Sequence, residues 1–216
     1  DDVDSLTAAF AGVDRLLLIS GSAVGQRARQ HGNVVAAAKA AGVGFIAYTS
    51  ILNAQGSAMA LAAEHKATET MIAESGTAHS FLRNGWYSEN LRASLDTDLS
   101  LGKHFGAAGA GRFSTAPRHD YAEAAAVVLA GCGHAGKTFE LAGDASVTLA
   151  DFAALLSQAS GKPVAYVDMP EVDYAAALIG AGLPEGFAKI LADSDAQAAK
   201  GALYNASHTL SALIGP

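Results

Sequence analysis

Residues 78–90 read Ala78-His-Ser-Phe-Leu-Arg-Asn-Gly-Trp-Tyr-Ser-Glu-Asn90, a short apolar run that breaks into polar and aromatic groups. The part from Ala78 to Leu82 predicts a short buried strand, and Arg83 to Asn90 is where that strand ends. In an open α/β sheet the ligand crevice lies outside the carboxyl ends of the strands, and the loops there carry the contacting residues. Two similar runs precede this one. Arg15 to Ser20, with Leu16, Leu17, Leu18 and Ile19 consecutive, predicts a strand buried on both faces, and Phe45 to Ser50 predicts another. Between them lie segments of helical period, Gln26 to Ala41 ended by Gly42, and Ala60 to Glu74 ended by Ser75-Gly76. Gly21, Ser22 and Gly25 form the turn after the first run, and Asp4 or Ser5 is the expected cap of a helix through Phe10. This βαβα alternation marks a parallel sheet with helices on both faces.

Beyond residue 95 the rhythm changes. Gly102 to Gly111 is glycine-rich, Phe113 to Ala116 is a short extended piece, and Asp120 is the expected cap of an Ala-rich helix from Tyr121 to Leu129. Thr138 to Ala142 predicts a strand. Thr148 caps a predicted helix from Leu149 to Ser160, Gly161-Lys162 turns the chain, and Pro163 to Val167 is extended. Asp173 to Gly182, Phe187 to Asp193 and Thr209 to Ile214 read as helical. The expected organisation is a sheet domain over 1–144 and a smaller, mostly helical lobe over 145–216 on the substrate side, with a cleft between them.

Composition narrows the partners. Half of the 216 residues are hydrophobic and 23 are glycine, enough for a sizeable core in one domain, or one domain with an appendage. A net charge of -7 without a basic run speaks against nucleic acid or an anionic membrane and for a small molecule. The lone Cys132 allows no internal disulfide and no cysteine-based zinc site, which suits a reducing cytoplasm; its structural reading is a small residue in the Gly131-Cys132-Gly133 turn. No stretch approaches the ~20 continuous apolar residues of a membrane span, and the start Asp-Asp-Val-Asp is the reverse of a signal peptide's basic opening. The expected location is the cytoplasm.

Several chemistries find no support. None of the six tyrosines is followed four residues later by lysine, the arrangement by which a short-chain dehydrogenase lowers a phenol's pKa for proton donation. There is no Gly-x-Ser-x-Gly elbow, no His-x-x-x-His pair, no EF-hand loop and no Walker A loop, so no metal site is expected. Gly106-Ala-Ala-Gly-Ala-Gly111 reads as a plain turn and not a phosphate cradle, because no buried strand feeds it and no helix follows it.

Leu17-Leu-Ile-Ser-Gly21, Val24-Gly-Gln-Arg27, Asn33-Val-Val-Ala-Ala-Ala-Lys-Ala-Ala-Gly-Val43, Phe45-Ile-Ala-Tyr-Thr-Ser50, Glu64-His65 with Glu69, and Leu82-Arg-Asn-Gly-Trp-Tyr-Ser-Glu-Asn90 together resemble type 2 NAD(P)H:quinone oxidoreductases. These belong to the NmrA-like, atypical short-chain dehydrogenase group. The resemblance continues through Asp120-Tyr-Ala, Glu140-Leu-Ala-Gly-Asp144, Gly182-Leu-Pro184, Asp193-Ser-Asp195 and Leu213-Ile-Gly215, and covers nearly the whole chain. Any one string alone is weak; the combination is specific. It implies a Rossmann-like doubly wound parallel sheet. Family members open with a strand and a Gly-x-x-Gly-x-x-Gly turn whose amides hold the cofactor pyrophosphate, then a second strand with a basic residue for the NADP phosphate. That part is absent here. The expectation is an N-terminally incomplete sheet lacking roughly two βα units, with Arg15 to Ser20 as an apolar edge and weak NADPH binding by this chain on its own.

The resemblance also implies roles. Ser20, Gly21 and Ser22 would pass under the adenine-ribose or pyrophosphate side of the cofactor. Tyr48, Thr49 and Ser50 would line the nicotinamide side. His65, four residues before Glu69, stands where many relatives carry a lysine that contacts the nicotinamide ribose. Asn84, Gly85, Trp86, Tyr87, Ser88 and Glu89 would close over nicotinamide and substrate. Each has a structural reading as well: Ser20 and Ser50 as strand ends, Trp86 and Tyr87 as core aromatics opening a helix, His65 as a solvated helix residue. The implied reaction is hydride transfer from NADPH, or alternatively NADH, to a quinone, with no side chain assigned a catalytic role. Two alternatives stand beside it, a triarylmethane-dye reductase and a redox-sensing regulator that binds NAD(P) or a protein partner without turnover. A homo-oligomer is compatible with either.

Overall fold

The computed structural model describes residues 2–215; Asp1, first residue of the acidic start, and Pro216 lie outside the described residues. In chain order the first elements are α1 (Val3–Ala9), β1 (Arg15–Leu18), α2 (Arg27–Ala40), β2 (Phe45–Ile51), α3 (Ala62–Glu74), β3 (Ala78–Asn84), α4 (Ser88–Arg92) and α5 (Leu95–Leu101). Then follow β4 (Lys103–Gly106), α6 (Arg118–Ala130), β5 (Thr138–Leu141), α7 (Leu149–Ser160), β6 (Ala165–Asp168), α8 (Glu171–Gly180), α9 (Glu185–Ala198) and α10 (Thr209–Ile214).

The main sheet is parallel throughout, in the order β1-β2-β3-β5. Its interior strand β2 is buried at all seven positions. An uncharged run of aromatic, aliphatic and small hydroxyl residues suits a strand covered on both sides, and alternation divides the work. Ile46 and Tyr48 pack with Val35, Ala38 and Ile72 beneath α2 and α3. Phe45 and Ala47 pack with Ala124, Val128 and Leu210 beneath α6 and α10. β4 and β6 form a second, two-stranded parallel sheet. A third cluster, with Ile51, Phe113, Leu149 and Leu203, joins this smaller layer to the end of β2.

Several expectations need correction. β1 stops at Leu18, the one buried residue of that strand, and Ile19 is 66% exposed, because among the described residues β1 pairs with β2 alone. α1 is capped by Asp2, whose carboxylate accepts from the N–H groups of Asp4 and Ser5. Asp120 does not cap α6: the helix begins behind Pro117 and holds Asp120 in its first turn, where an acid complements the helix dipole. α9 extends well beyond Phe187–Asp193, and α4 and α5 were not expected. A strand does feed the glycine-rich stretch: β4, missed because its partner β6 lies some sixty residues further along the chain. The amides after it are used internally, Ala107 on Asp195, Ala108 on the Tyr166 hydroxyl and Gly109 on Asp168. Segments from both sides of residue 144 share each layer, since β4 pairs with β6 and α10 returns to α6 and β5.

Candidate active site

A cleft of about 620 Å³ opens at the carboxyl ends of β1, β2 and β3. Ser20, Gly21 and Ser22 line it after β1, Thr49 and Ser50 at the end of β2, and His65 from α3. Asn84, Gly85, Trp86 and Tyr87 line it after β3. α9 adds Phe187, Ile190 and Leu191 to the lining.

Local structure explains why these residues meet. The Thr49 hydroxyl accepts from the Ser20 N–H at 2.8 Å, tying the ends of β1 and β2. Gly21 donates its N–H to His31 Nε2 at 3.3 Å, and His31 Nδ1 lies 2.9 Å from the Thr68 hydroxyl, which donates to the Glu64 carbonyl. That chain needs a proton on Nδ1 and none on Nε2, a neutral imidazole. Burial, then the nearby Arg27, lowers the His31 pKa against the pull of Glu64, in keeping with that form. Gly85 sits so close to its surroundings that an added Cβ would meet the Tyr121 hydroxyl at 3.0 Å and the Leu141 carbonyl oxygen at 3.2 Å.

Beneath the cleft lies a buried ionic network. Glu69, 2% exposed, accepts both Arg83 Nε at 2.9 Å and Arg83 Nη2 at 2.7 Å, together with the Ser50 hydroxyl and the Gln55 amide. Arg83 Nη1 reaches Glu140 at 2.8 Å. Burial alone would raise the Glu69 pKa, but the bonds from Arg83, Ser50 and Gln55 outweigh it and hold the carboxyl below its ordinary range. The network fixes the Ser50 side chain from below.

Three of the anticipated site residues do not line the cleft. Tyr48 is fully buried, its hydroxyl 2.8 Å from His65 Nδ1, because alternation along β2 turns it toward α3. It therefore supports His65 instead of lining the site. The Ser88 N–H donates to the Ala116 carbonyl, and the Glu89 carboxylate accepts the Arg118 N–H at 3.1 and 3.2 Å, securing the start of α6. His65 is no solvated residue: it is 6% exposed, and burial, followed by Arg27 and His31, lowers its pKa to about 4 against Glu69. Its Nε2 lies 3.4 Å from Arg27 Nη1.

Residues that sequence reasoning missed include Arg27, Asn90, Arg118 and Tyr121, all on the lining. Arg27 stood in the Val24-Gly-Gln-Arg27 string, but nothing in its spacing pointed into a cleft. Two buried polar atoms on the lining, Arg27 Nε and Asn84 Oδ1, have no hydrogen-bond partner among the described residues. Buried polar atoms are normally satisfied, so these two are exceptions in residues that border the cleft.

The sequence matches the NmrA-like family over residues 1–212. The chain belongs to that family. This NmrA-like chain is 56% identical to quinone oxidoreductase 2 of Escherichia coli (strain K12) over 214 residues, covering 99% of itself and 75% of that relative. It is similar to an NADPH-dependent quinone oxidoreductase from Escherichia coli solved as a complex with NADPH, with a TM-score of 0.98 at 56% identity, over 99% of this chain and 76% of that one. It is also similar to Citrobacter sp. triphenylmethane reductase complexed with NADP(H), with a TM-score of 0.91 at 36% identity, over 100% of this chain and 76% of that one. The NmrA-like chain thus spans about three quarters of the length of these relatives. Among its described residues no helix is long and apolar enough to cross a membrane.

Proposed function

We propose that this protein is an NADPH-dependent quinone reductase, with the cleft at the carboxyl ends of β1 to β3 as its site. The observation that carries the reading is a cleft at the strand ends whose lining joins the small polar residues Ser20, Thr49, Ser50 and Asn84 to Arg27 and to aromatic side chains. Hydroxyl and amide groups on that lining suit the carboxamide of a nicotinamide, and a guanidinium suits an anionic portion of a dinucleotide. The residues present therefore fit the cofactor. Ser20, Gly21, Ser22, Thr49, Ser50, Asn84 and Gly85 are the groups that would hold it, with Arg27 and His65 beside them. When bound, the reduced nicotinamide supplies a hydride from its C4 to the quinone.

The chain's own contribution is positioning. Gly85 keeps the floor low where a side chain would collide with Tyr121. The Glu69-Arg83 clamp holds Ser50 in place, so no reorganisation is needed when a ligand enters. Trp86 and Tyr87, with Phe187, Ile190 and Leu191 of α9, offer flat and apolar surfaces on the lining to a ring and exclude water from it. The proton that completes the hydroquinone comes from solvent at the open side. The net charge of -7 favours a small molecule over nucleic acid, and the lone Cys132 suits the reducing cytoplasm where we place the protein.

Loss of the reduced nicotinamide's near-ultraviolet absorbance, followed with and without added quinone, tests the reading. Quinone-dependent oxidation of NADPH supports it. Binding of NADPH without any oxidation points instead to a redox-sensing regulator.

A further inference from the structure

Among the described residues that line the cleft, Arg27 and Arg118 are the only ones carrying a full charge at neutral pH, and no Asp or Glu lines it, although the chain as a whole carries -7. His65 lines it as a neutral ring. The neighbouring carboxylates are engaged elsewhere. Glu64 accepts the N–H groups of Gly25 and Arg27, Glu69 is clamped by Arg83, and Glu89 accepts the N–H of Arg118. They offset part of the arginine field without presenting an acid to a ligand. Arg118 is held in a defined orientation: its guanidinium lies 4.8 Å from the centre of the Tyr87 ring, and Nη2 donates to Asn90 Oδ1 at 3.2 Å. Tyr87 and Asn90 both line the cleft. A guanidinium carries five N–H donors, so the bond to Asn90 leaves most of them for a ligand, and the stacking reduces the entropy lost when one binds.

We propose that Arg118 makes this cleft selective for aromatic acceptors bearing an anionic substituent, a sulfonate or a carboxylate, over cationic ones. The inference rests on the quinone-reductase reading and specifies its substrate class. The ring occupies the apolar space between Trp86 and the side chains of α9, and the anionic group takes the donors of Arg118. A cationic triarylmethane dye meets the same guanidinium as a repulsion, and no acid on the lining compensates it.

Trp86 is the single tryptophan of the chain and lies on the lining, so quenching of its fluorescence reports binding without NADPH or turnover. A naphthoquinone sulfonate, the unsubstituted naphthoquinone and a cationic triarylmethane dye are titrated in turn. The sulfonate is expected to bind about three- to tenfold more tightly than the unsubstituted quinone, with the dye weakest, and its advantage to shrink as salt is added. In Arg118→Gln the advantage falls below about twofold, and Arg118→Lys, which restores the charge without the planar fork, recovers part of it. Equal binding of the two quinones, tightest binding of the dye, or an advantage that survives in Arg118→Gln overturns the proposal. The salt titration of the unaltered protein tests the preference for an anionic acceptor, and the two Arg118 variants, either of which suffices, assign it to Arg118 and not to Arg27. Failure of NADPH oxidation would strike the functional reading, whereas this measurement is blind to turnover.

Discussion

Glu69 under the main sheet and Asp195 beside the small one are both buried carboxylates, and the protein treats them in opposite ways. Glu69 receives two bonds from Arg83, one from Ser50 and one from Gln55, and its pKa falls below the ordinary range. Asp195 accepts one backbone N–H, from Ala107, and burial pushes its pKa up to about 6; that bond and His104 oppose the rise, while Asp168 adds to it. The neighbouring His104 is engaged with Asp98 at 2.8 Å. A buried acid stays ionised when it is surrounded by donors on rigid elements, and drifts toward its neutral form when it is not. The contrast shows where the fold invests its positive charge: directly beneath the cleft, where Ser50 has to be held.

The strongest way to break this contrast is to remove Glu69. Glu69→Ala leaves Arg83 with Glu140 alone and is expected to cost about 2–4 kcal/mol in urea unfolding, because three donors, Arg83, Ser50 and Gln55, lose their buried acceptor and Arg83 keeps only one of its two carboxylates. A loss below about 1 kcal/mol would show that the network adds little beyond packing.

Asp195→Asn probes the other side and depends on pH. The folded pKa of Asp195 is raised, so the folded protein holds that proton more tightly than the unfolded chain. Its favourable contribution is complete below the ordinary aspartate range and is lost as pH rises through about 6. The neutral asparagine avoids that loss. Thermal unfolding should find the variant more stable than the parent by roughly 1–3 kcal/mol above that pH, the gap closing as pH falls toward about 4. Glu69 has the reverse sign: its contribution is present above the ordinary glutamate range and lost as pH falls through its lowered pKa. A parallel pH response of the two sites would contradict the contrast.

A smaller effect separates architecture from site. Thr148 and Asp151 form a capping box at the start of α7, which packs on β4 and β6. Thr148→Ala is expected to cost about 1 kcal/mol of stability and to leave NADPH binding unchanged. Asn84→Ala should behave in the opposite manner. Asn84 Oδ1 has no partner among the described residues, so its removal sacrifices no bond from that atom and changes stability by less than about 1 kcal/mol. Its effect should appear in titration calorimetry as NADPH binding weakened about tenfold. Unchanged NADPH affinity would remove Asn84 from the site.

Much of this was legible from the chain. The apolar runs at Arg15, Phe45, Ala78 and Thr138 all became strands, because local hydrophobicity and turn residues suffice for a buried parallel strand. The Asn84 to Tyr87 segment lines the cleft because it follows such a strand. β4 was harder to read than β6, where Pro163 to Val167 already reads as extended. Each is four residues long with a mixed burial pattern, and each exists only by pairing with the other across a long separation. Tyr48 was placed on the wrong side for a related reason. A strand buried at every position gives no sequence sign of which residues face which layer, and only the helices packed on β2 decide it.

The sequence by itself determined the class of fold, the family and the strand ends that line the cleft, since periodicity, turn chemistry and a distinctive combination of strings are local properties. Tertiary structure decided the rest. Arg27, Arg118 and the α9 side chains come from segments far apart in the chain, as do Glu69, Arg83 and Glu140. The charge of a cleft and the pKa of a buried acid depend on what lies within a few ångströms in space, a relation that packing alone creates.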